Sequence, residues 1–399
     1  MQKYFFFCSY ENFCSYEILL AIFATAMKNT EQTFAAKPRY ELLDGLRGVA
    51  ALMVIWYHIF EGFATSAIDQ KFNHGYLAVD FFFILSGFVI GYAYDDRWKN
   101  MTIWKFFKRR LIRLHPLVIL GAAFGLIAFL IQGSVQWDGT QIPTWRTALA
   151  FLMAILLIPA YPGTAGEVRG NGEMFPLNGP SWSLFFEYIG NIMYALFLRR
   201  LSTKWLKVFV GLSGVGYAAY AILNGSGSYS MGVGWSIGSD WIGFLGGFLR
   251  LTFSFSCGLL LSRDFKPMHI RGAFWICSAI IIALFSVPYL GAEANWLNGA
   301  YDSLCTLVLF PLVVFMGASG SVTGKASANI CGFLGEISYP VYILQYPIMY
   351  LFYSWLWSNG LTFAQAWPVA ICIFFCLPLV AYACLKIYDE PTRKWLSRN

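Results

Sequence analysis

The chain has 399 residues, of which 58% are hydrophobic and only 12% charged, with a formal net charge of +7. A soluble domain carries about a quarter charged residues, and no polar stretch here exceeds roughly 20–40 residues, too short for an independent core; a water-soluble fold is excluded. In such a chain an excess of Lys and Arg marks cytoplasmic helix ends rather than a nucleic-acid surface.

Residues 1–36 form an N-terminal extension. Its apolar segment "ILLAIFATA", 18–26, is too short to span a bilayer. It resembles the apolar region of a secretion signal ending in A-x-A, but Glu11 and Glu17 precede it where a signal needs basic residues. Met27 is an alternative start, and no function is expected before residue 37.

From residue 40 onward eleven apolar runs follow, near 45–63, 76–94, 115–132, 148–161, 181–198, 205–223, 242–262, 273–290, 299–318, 337–357 and 366–386. They are continuous rather than alternating, which predicts membrane helices and not barrel strands. Basic residues then set the orientation. Lys28, Lys37, Arg39 and Arg47 place the N-terminus inside, and "RWKNMTIWKFFKRRLIR", 97–113, is inside after two crossings. "RRLSTKWLK", 199–207, should be inside too, but three further crossings would put it outside. The conflict disappears if the shortest run, 148–161, does not cross. The expectation is therefore an all-α polytopic bundle of ten spans plus one re-entrant or surface helix, with both ends cytoplasmic. The membrane domain covers 37–390, a tail follows at 391–399, and 133–180 is a long outer excursion of the kind that usually carries function. No internal repeat of the transporter type is visible.

Nine cysteines are scattered without a CxxC pair, and the four histidines form no ligand-spaced pair, so neither a disulfide framework nor a metal site is expected.

The run "LLDGLRGVAALMVIWYHIF", 42–60, holds Asp44, Arg47 and His58, expensive residues for a span. Arg47 and His58 are eleven apart, about 20° on a helix turning about 100° per residue. Asp44 lies about 40° off His58, and one polar stripe on an apolar helix must face the bundle. Asp44 and Arg47 can be a structural pair. His58, deep in a span, has the chemistry to take and return a proton at neutral pH. A second polar stripe, Ser183, Glu187, Asn191 and Tyr194, lies on one face of the 181–198 run. Glu187 can orient His58, hold a hydroxyl, or pair structurally with Arg250. Trp182 can stack on a ring or belong to an interfacial belt. Asp80 and Ser86 lie in the second run beside Gly87, where small size allows packing or ligand approach. Pro340 and Pro347 are expected to break the helix around Tyr339 and Gln345.

These stretches, in order, resemble the acyltransferase-3 family of integral membrane O-acyltransferases. "LDGLRGVAALMVIWYH" has a basic residue, ten residues and then His. "GYLAVDFFFILSGFVIGY" (75–92), "RRLIRLHP" (109–116), "GPSWSLFFEYIGNIMY" (179–194) and "ISYPVYILQYPI" (337–348) are similar to its later motifs. The likeness covers roughly 39–388. It departs at Gln345, where members commonly have His, and at His115, and no esterase-like domain follows. The resemblance implies transfer of an acyl group, most often acetyl, from acyl-CoA to a hydroxyl of a cell-surface glycan or similar acceptor. It implies a bacterial inner-membrane location, acyl-CoA as co-substrate, and no bound cofactor, metal or nucleic acid. His58 would be the base and Glu187 its partner. Arg47, Arg110 and Arg113 would hold the CoA phosphates, because guanidinium forks suit phosphate; Lys105 and Lys108 stand beside them. Asp44, Asp80, Ser86, Trp182, Ser183, Asn191, Tyr339 and Gln345 would support the site or the acceptor. The rival reading is a transporter or flippase for a glycan or lipid-linked intermediate, with the same stripes lining a pathway. Acceptor identity and oligomeric state are not encoded in any motif.

Overall fold

A computed structural model describes residues 37, 39–227, 241–322 and 324–398. The N-terminal segment and the Met27 alternative lie outside the described residues. Among these residues the fold is all-helical, with only two isolated β-bridges. In chain order the helices are α1 (Glu41–Glu61), α2 (Ala78–Tyr94), α3 (Ile103–Ile131), α4 (Thr144–Ile155), α5 (Ser181–Leu196), α6 (Thr203–Ile222), α7 (Trp241–Asp264) and α8 (Ala273–Phe285). Then come α9 (Trp296–Leu304) and α10 (Phe310–Ser319), joined by a widened turn, α11 (Lys325–Ser358), α12 (Phe363–Cys384) and the short α13 (Glu390–Leu396).

Every apolar run of the sequence contains a helix, and the main differences are at helix starts. α3 begins at Ile103, inside the basic stretch, because Thr102 caps it by accepting from the Lys105 amide. α11 begins at Lys325 rather than 337. Backbone hydrogen bonding does not stop where hydropathy falls, so helices outrun their apolar segments. Among the described residues, seven helical stretches are both long and apolar enough to cross a bilayer. α5 and α8, at 16 and 13 residues, are shorter. α11 has the length, at 34 residues, but its tyrosines lower its hydropathy.

α4 is 12 residues long, about 18 Å against a hydrocarbon core of about 30 Å. Ile142 N–H donates to the Ser134 carbonyl before it, and Trp137 N–H donates to the Arg169 carbonyl after it. The chain thus returns to the end of α3 from which it left.

Two helix pairs are packed most extensively, α1 with α11 and α2 with α7. Both crossings are made by small residues, as helix association without a hydrophobic drive requires. A side chain at Gly48 would collide with the Leu334 carbonyl, and one at Gly45 with Cys331. At the other crossing Gly87 meets the Phe255 carbonyl and Gly258 meets the Ile84 carbonyl. The close approach at "SGF" is therefore backbone on backbone.

Pro340 and Pro347 do not break α11, which runs unbroken from Lys325 to Ser358. Pro347 cannot donate to the Ile343 carbonyl four residues earlier. Asn178 replaces the missing donor, its Nδ2 lying 2.9 Å from that oxygen.

Arg250 pairs with Asp80, not with Glu187. Its Nη2 lies 2.7 Å from Asp80 Oδ2 and 2.7 Å from the Tyr76 carbonyl, and both side chains are sealed from solvent. Asp80 is thereby removed from any acceptor site, since a carboxylate with no exposed surface cannot meet a substrate. Breaking such a pair strands a buried charge. Asp80→Ala should cost about 3–5 kcal/mol of stability, and Asp80→Ala with Arg250→Met should recover most of it, read by thermal unfolding of the full chain in detergent.

Candidate functional site

Both ends of the polar stripe on α1 face α11. Near its start Arg47 pairs with Asp44 and donates from Nε to Ser338 Oγ at 3.1 Å. Three turns on, the His58 ring meets the Tyr346 ring edge-on, with centroids 4.7 Å apart. Tyr353 donates to the His58 carbonyl at 2.7 Å. The common face expected from the eleven-residue spacing is the face that packs on α11.

The acid that touches His58 is Glu61. Its Oε2 lies 2.7 Å from His58 Nδ1, and Tyr353 donates to the same oxygen at 2.9 Å. An imidazole whose Nδ1–H is held by a carboxylate presents the lone pair of Nε2 outward. His58 is only 13% exposed at its side chain, whereas Glu61 is 35% exposed.

Glu187 is not the partner of His58. Its Oε1 accepts from Arg110 Nη2 at 2.7 Å and from Ser86 Oγ at 3.0 Å. The physical reason is placement: a buried guanidinium takes the nearest carboxylate, and Arg110, itself buried, reaches Glu187 first. Arg113, one turn beyond Arg110, remains exposed, and Arg110, Arg47, Asp44 and Glu187 all lie within its electrostatic reach. Three guanidinium groups against two carboxylates leave this cluster net positive. Lys108 is exposed and Lys105 half-buried on the same helix.

The other expected site residues are dispersed. Ser183 Oγ shares a hydrogen bond with Tyr342 at 2.8 Å, and Asn191 bonds the Glu187 carbonyl at 2.6 Å. Tyr339 donates to the Leu114 carbonyl of α3 at 2.7 Å. Trp182 lies under the Arg250 guanidinium, 5.1 Å from its centroid, a cation–π contact within the buried ion pair. Gln345 is fully buried, and its Oε1 has no hydrogen-bond partner. Among the described residues no set of three His, Cys, Asp or Glu is placed to hold a metal ion.

The segment 156–180 closes on the α11 side of His58. Asn178 reaches Ile343, Gly179 lies against the Tyr346 ring, and Tyr350 donates to Glu173. Burial pushes the Glu173 carboxyl up to about 7, against the pull of Tyr350 and Arg169. Glu61 had a sequence signal, since a residue three beyond His58 shares its helix face. Glu173, Tyr346, Tyr350 and Asn178 had none, because only the folded loop brings them to α1.

A model of the acyltransferase domain matches residues 40–385 of this chain. "Acyltransferase MdmB" of Streptomyces mycarofaciens is 23% identical over 90% of this chain and 93% of its own length. "Protein 2 in picA locus" of Rhizobium radiobacter is 35% identical, over 44% of this chain and 92% of its own length. "Putative O-acetyltransferase SACOL0978" of Staphylococcus aureus is 24% identical over 78% of this chain, which spans only 51% of that relative. No solved structure matches the chain.

Replacing Asn178 with Ala would leave the Ile343 carbonyl unbonded inside α11. The expected cost is about 1–3 kcal/mol, with faster amide hydrogen exchange across 156–180 than in the parent protein.

Proposed function

The chain belongs to the acyltransferase-3 family and is an integral membrane acyltransferase, and from that premise we propose that it moves an acyl group, most simply acetyl, from acyl-CoA to a hydroxyl of a cell-surface glycan. The observation that carries the chemistry is the His58–Glu61 pair, with Nδ1 bonded to the carboxylate at 2.7 Å.

In this reading His58 Nε2 takes the proton of the acceptor hydroxyl as its oxygen attacks the thioester carbonyl. The carbon–sulfur bond then breaks, and the proton passes from His58 to the departing thiolate, so the products are the ester and free CoA. Glu61 is a positioning residue. It fixes the tautomer and balances the imidazolium that forms. The Arg47, Arg110 and Arg113 cluster is the docking point for the CoA phosphates, supported by its net positive charge and the exposure of Arg113. Glu187 and Asp44 hold that cluster in place, and Ser86 buttresses Glu187.

The reading places the arginine cluster at the cytoplasmic face and His58 toward the outer face of a bacterial inner membrane, with ten crossings and both ends inside. α4 is re-entrant, supported by the return of the chain to the end of α3. The membrane domain covers 37–390, and 391–399 is a cytoplasmic tail. Acyl-CoA and the glycan are the partners, and no bound cofactor is required.

The test is thiol release from acetyl-CoA by the purified full chain with a cell-surface glycan extract. His58→Ala should lose about 10²-fold or more in rate without a change in melting. An active, well-folded His58→Ala protein would sink the mechanism. Glu61→Gln should lower kcat about 10²-fold with the acetyl-CoA KM little changed. Arg113→Ala should raise the acetyl-CoA KM about tenfold and leave that for acetyl-pantetheine, which lacks the nucleotide phosphates, unchanged.

A further inference from the structure

We propose that His74 and Asp302 form a sealed proton-binding site, in which His74 holds a hydrogen on both ring nitrogens and the resulting imidazolium is paired with the Asp302 carboxylate. The inference does not depend on the acyltransferase reading. It concerns a buried polar cluster that the proposed chemistry leaves unused.

His74 lies just before α2, and its side chain has no exposed surface. Both ring nitrogens face oxygen. Nδ1 is 2.8 Å from the Val287 carbonyl, and Nε2 is 2.9 Å from Asn298 Oδ1. A carbonyl only accepts, so Nδ1 carries a hydrogen. The second contact depends on which end of the Asn298 amide meets the ring, and two further bonds fix it. The Leu290 N–H lies 3.1 Å from the same Asn298 atom and can only donate, so that atom is the oxygen. Asn298 Nδ2 then donates to the Tyr76 hydroxyl at 3.1 Å, and that hydroxyl gives its own hydrogen to Asp302, at 2.8 and 3.0 Å from the two carboxyl oxygens. Nε2 must therefore carry a hydrogen as well. A histidine with two N–H groups is a cation.

Asp302 is the counter-charge. Its Oδ1 lies 3.8 Å from His74 Nε2, and the residue is 1% exposed. Burial by itself opposes a charge on either group. A buried charge persists where it is paired and hydrogen-bonded, and with both groups ionised every bond in this chain joins a donor to an acceptor. Moving the proton to Asp302 breaks the match. Asn298 must then turn over to offer Nδ2 to a bare Nε2, which leaves the Leu290 N–H facing an amide nitrogen. A backbone donor without a partner in a dry site is the costlier arrangement.

The groups around the pair are Tyr76 from the same segment and Tyr301 from α9, whose ring centroid is 4.4 Å from that of His74. Beyond Tyr76, Asp80 of α2 and Arg250 of α7 act on Asp302, and Tyr217 of α6 acts on Tyr76. Asp80 and Arg250 offset each other, so the proton on His74 is what leaves the cluster neutral. The site ties the connection between α8 and α9 to the start of α2. The next residue, Gly75, lies against Tyr57, the neighbour of His58, where a side chain would collide with that ring. The bound proton thus secures the packing behind the end of α1 that carries His58. Its contribution to stability is present while the imidazolium persists and is lost as rising pH removes the proton.

The experiment is nitrogen-15 NMR of the full chain with ring-labelled histidine, in lipid at about pH 8, above the ordinary imidazole value of about 6.5. It is done on His58→Ala, which removes the other histidine bonded to a carboxylate. One imidazolium, with two N–H nitrogens, should remain, and it should disappear on adding His74→Gln. A spectrum holding only neutral rings, or an imidazolium that survives His74→Gln, overturns the inference. Thermal unfolding of the full chain in detergent tests the pairing without relying on the His74 variant alone. Asp302→Asn should lower the midpoint by about 5 °C or more, because it strands a buried cation. Adding His74→Gln to it should raise the midpoint again. An Asp302→Asn protein that melts like the parent overturns the inference, because an amide replaces a protonated acid at little cost but not a carboxylate; so does a double variant less stable than Asp302→Asn.

Discussion

Gly45 and Gly48 allow α1 to lie against α11 almost backbone to backbone, with no Cβ between Gly48 and the Leu334 carbonyl. The remainder of the site follows from that approach. At this separation Arg47 reaches Ser338, and the His58 ring rests on Tyr346. In lipid there is no water to satisfy a stray polar group, so a helix bearing Asp44, Arg47 and His58 is stable only with that stripe turned to a partner. α11 is that partner, and its polar and aromatic residues are spaced to match.

Two groups of charges in the bundle contrast. Asp80 and Arg250 are wholly enclosed, bonded to each other and to the Tyr76 carbonyl, with Trp182 beneath the guanidinium. Nothing remains there for a substrate, and the pair contributes a fixed geometry between α2 and α7. The Arg47, Arg110, Arg113, Asp44 and Glu187 group is different. It has an excess of positive charge and an exposed member, Arg113. Fully paired charges hold helices together; a charge surplus that water can reach attracts an anion.

The wall opposite His58 depends on a proline. Pro347 removes one donor from α11, and Asn178 supplies another from the outer segment. That bond ties 156–180 to α11 close to Tyr346 and Tyr350. The helix stays continuous and the loop gains an anchor in one contact. Through the same loop Glu173 arrives next to residues more than a hundred positions away in sequence.

The sequence by itself determined the membrane class, a helix in each of the eleven apolar runs, the shared face of Arg47 and His58, and the ordered motifs that identify the family. These are local or cumulative properties: hydropathy over twenty residues, a 100° step per residue, and motif order along the chain. Only the tertiary structure decided the pairings. Glu187 was the acid expected beside His58 or beside Arg250, whereas the fold gives Glu61 to His58 and Asp80 to Arg250. Helix periodicity assigns a residue to a face but does not say which helix that face meets, and a buried charge bonds whatever the packing of distant helices sets beside it. Hence Glu61, three residues from His58, was legible as a neighbour but not as its partner, and Glu173 was not legible at all.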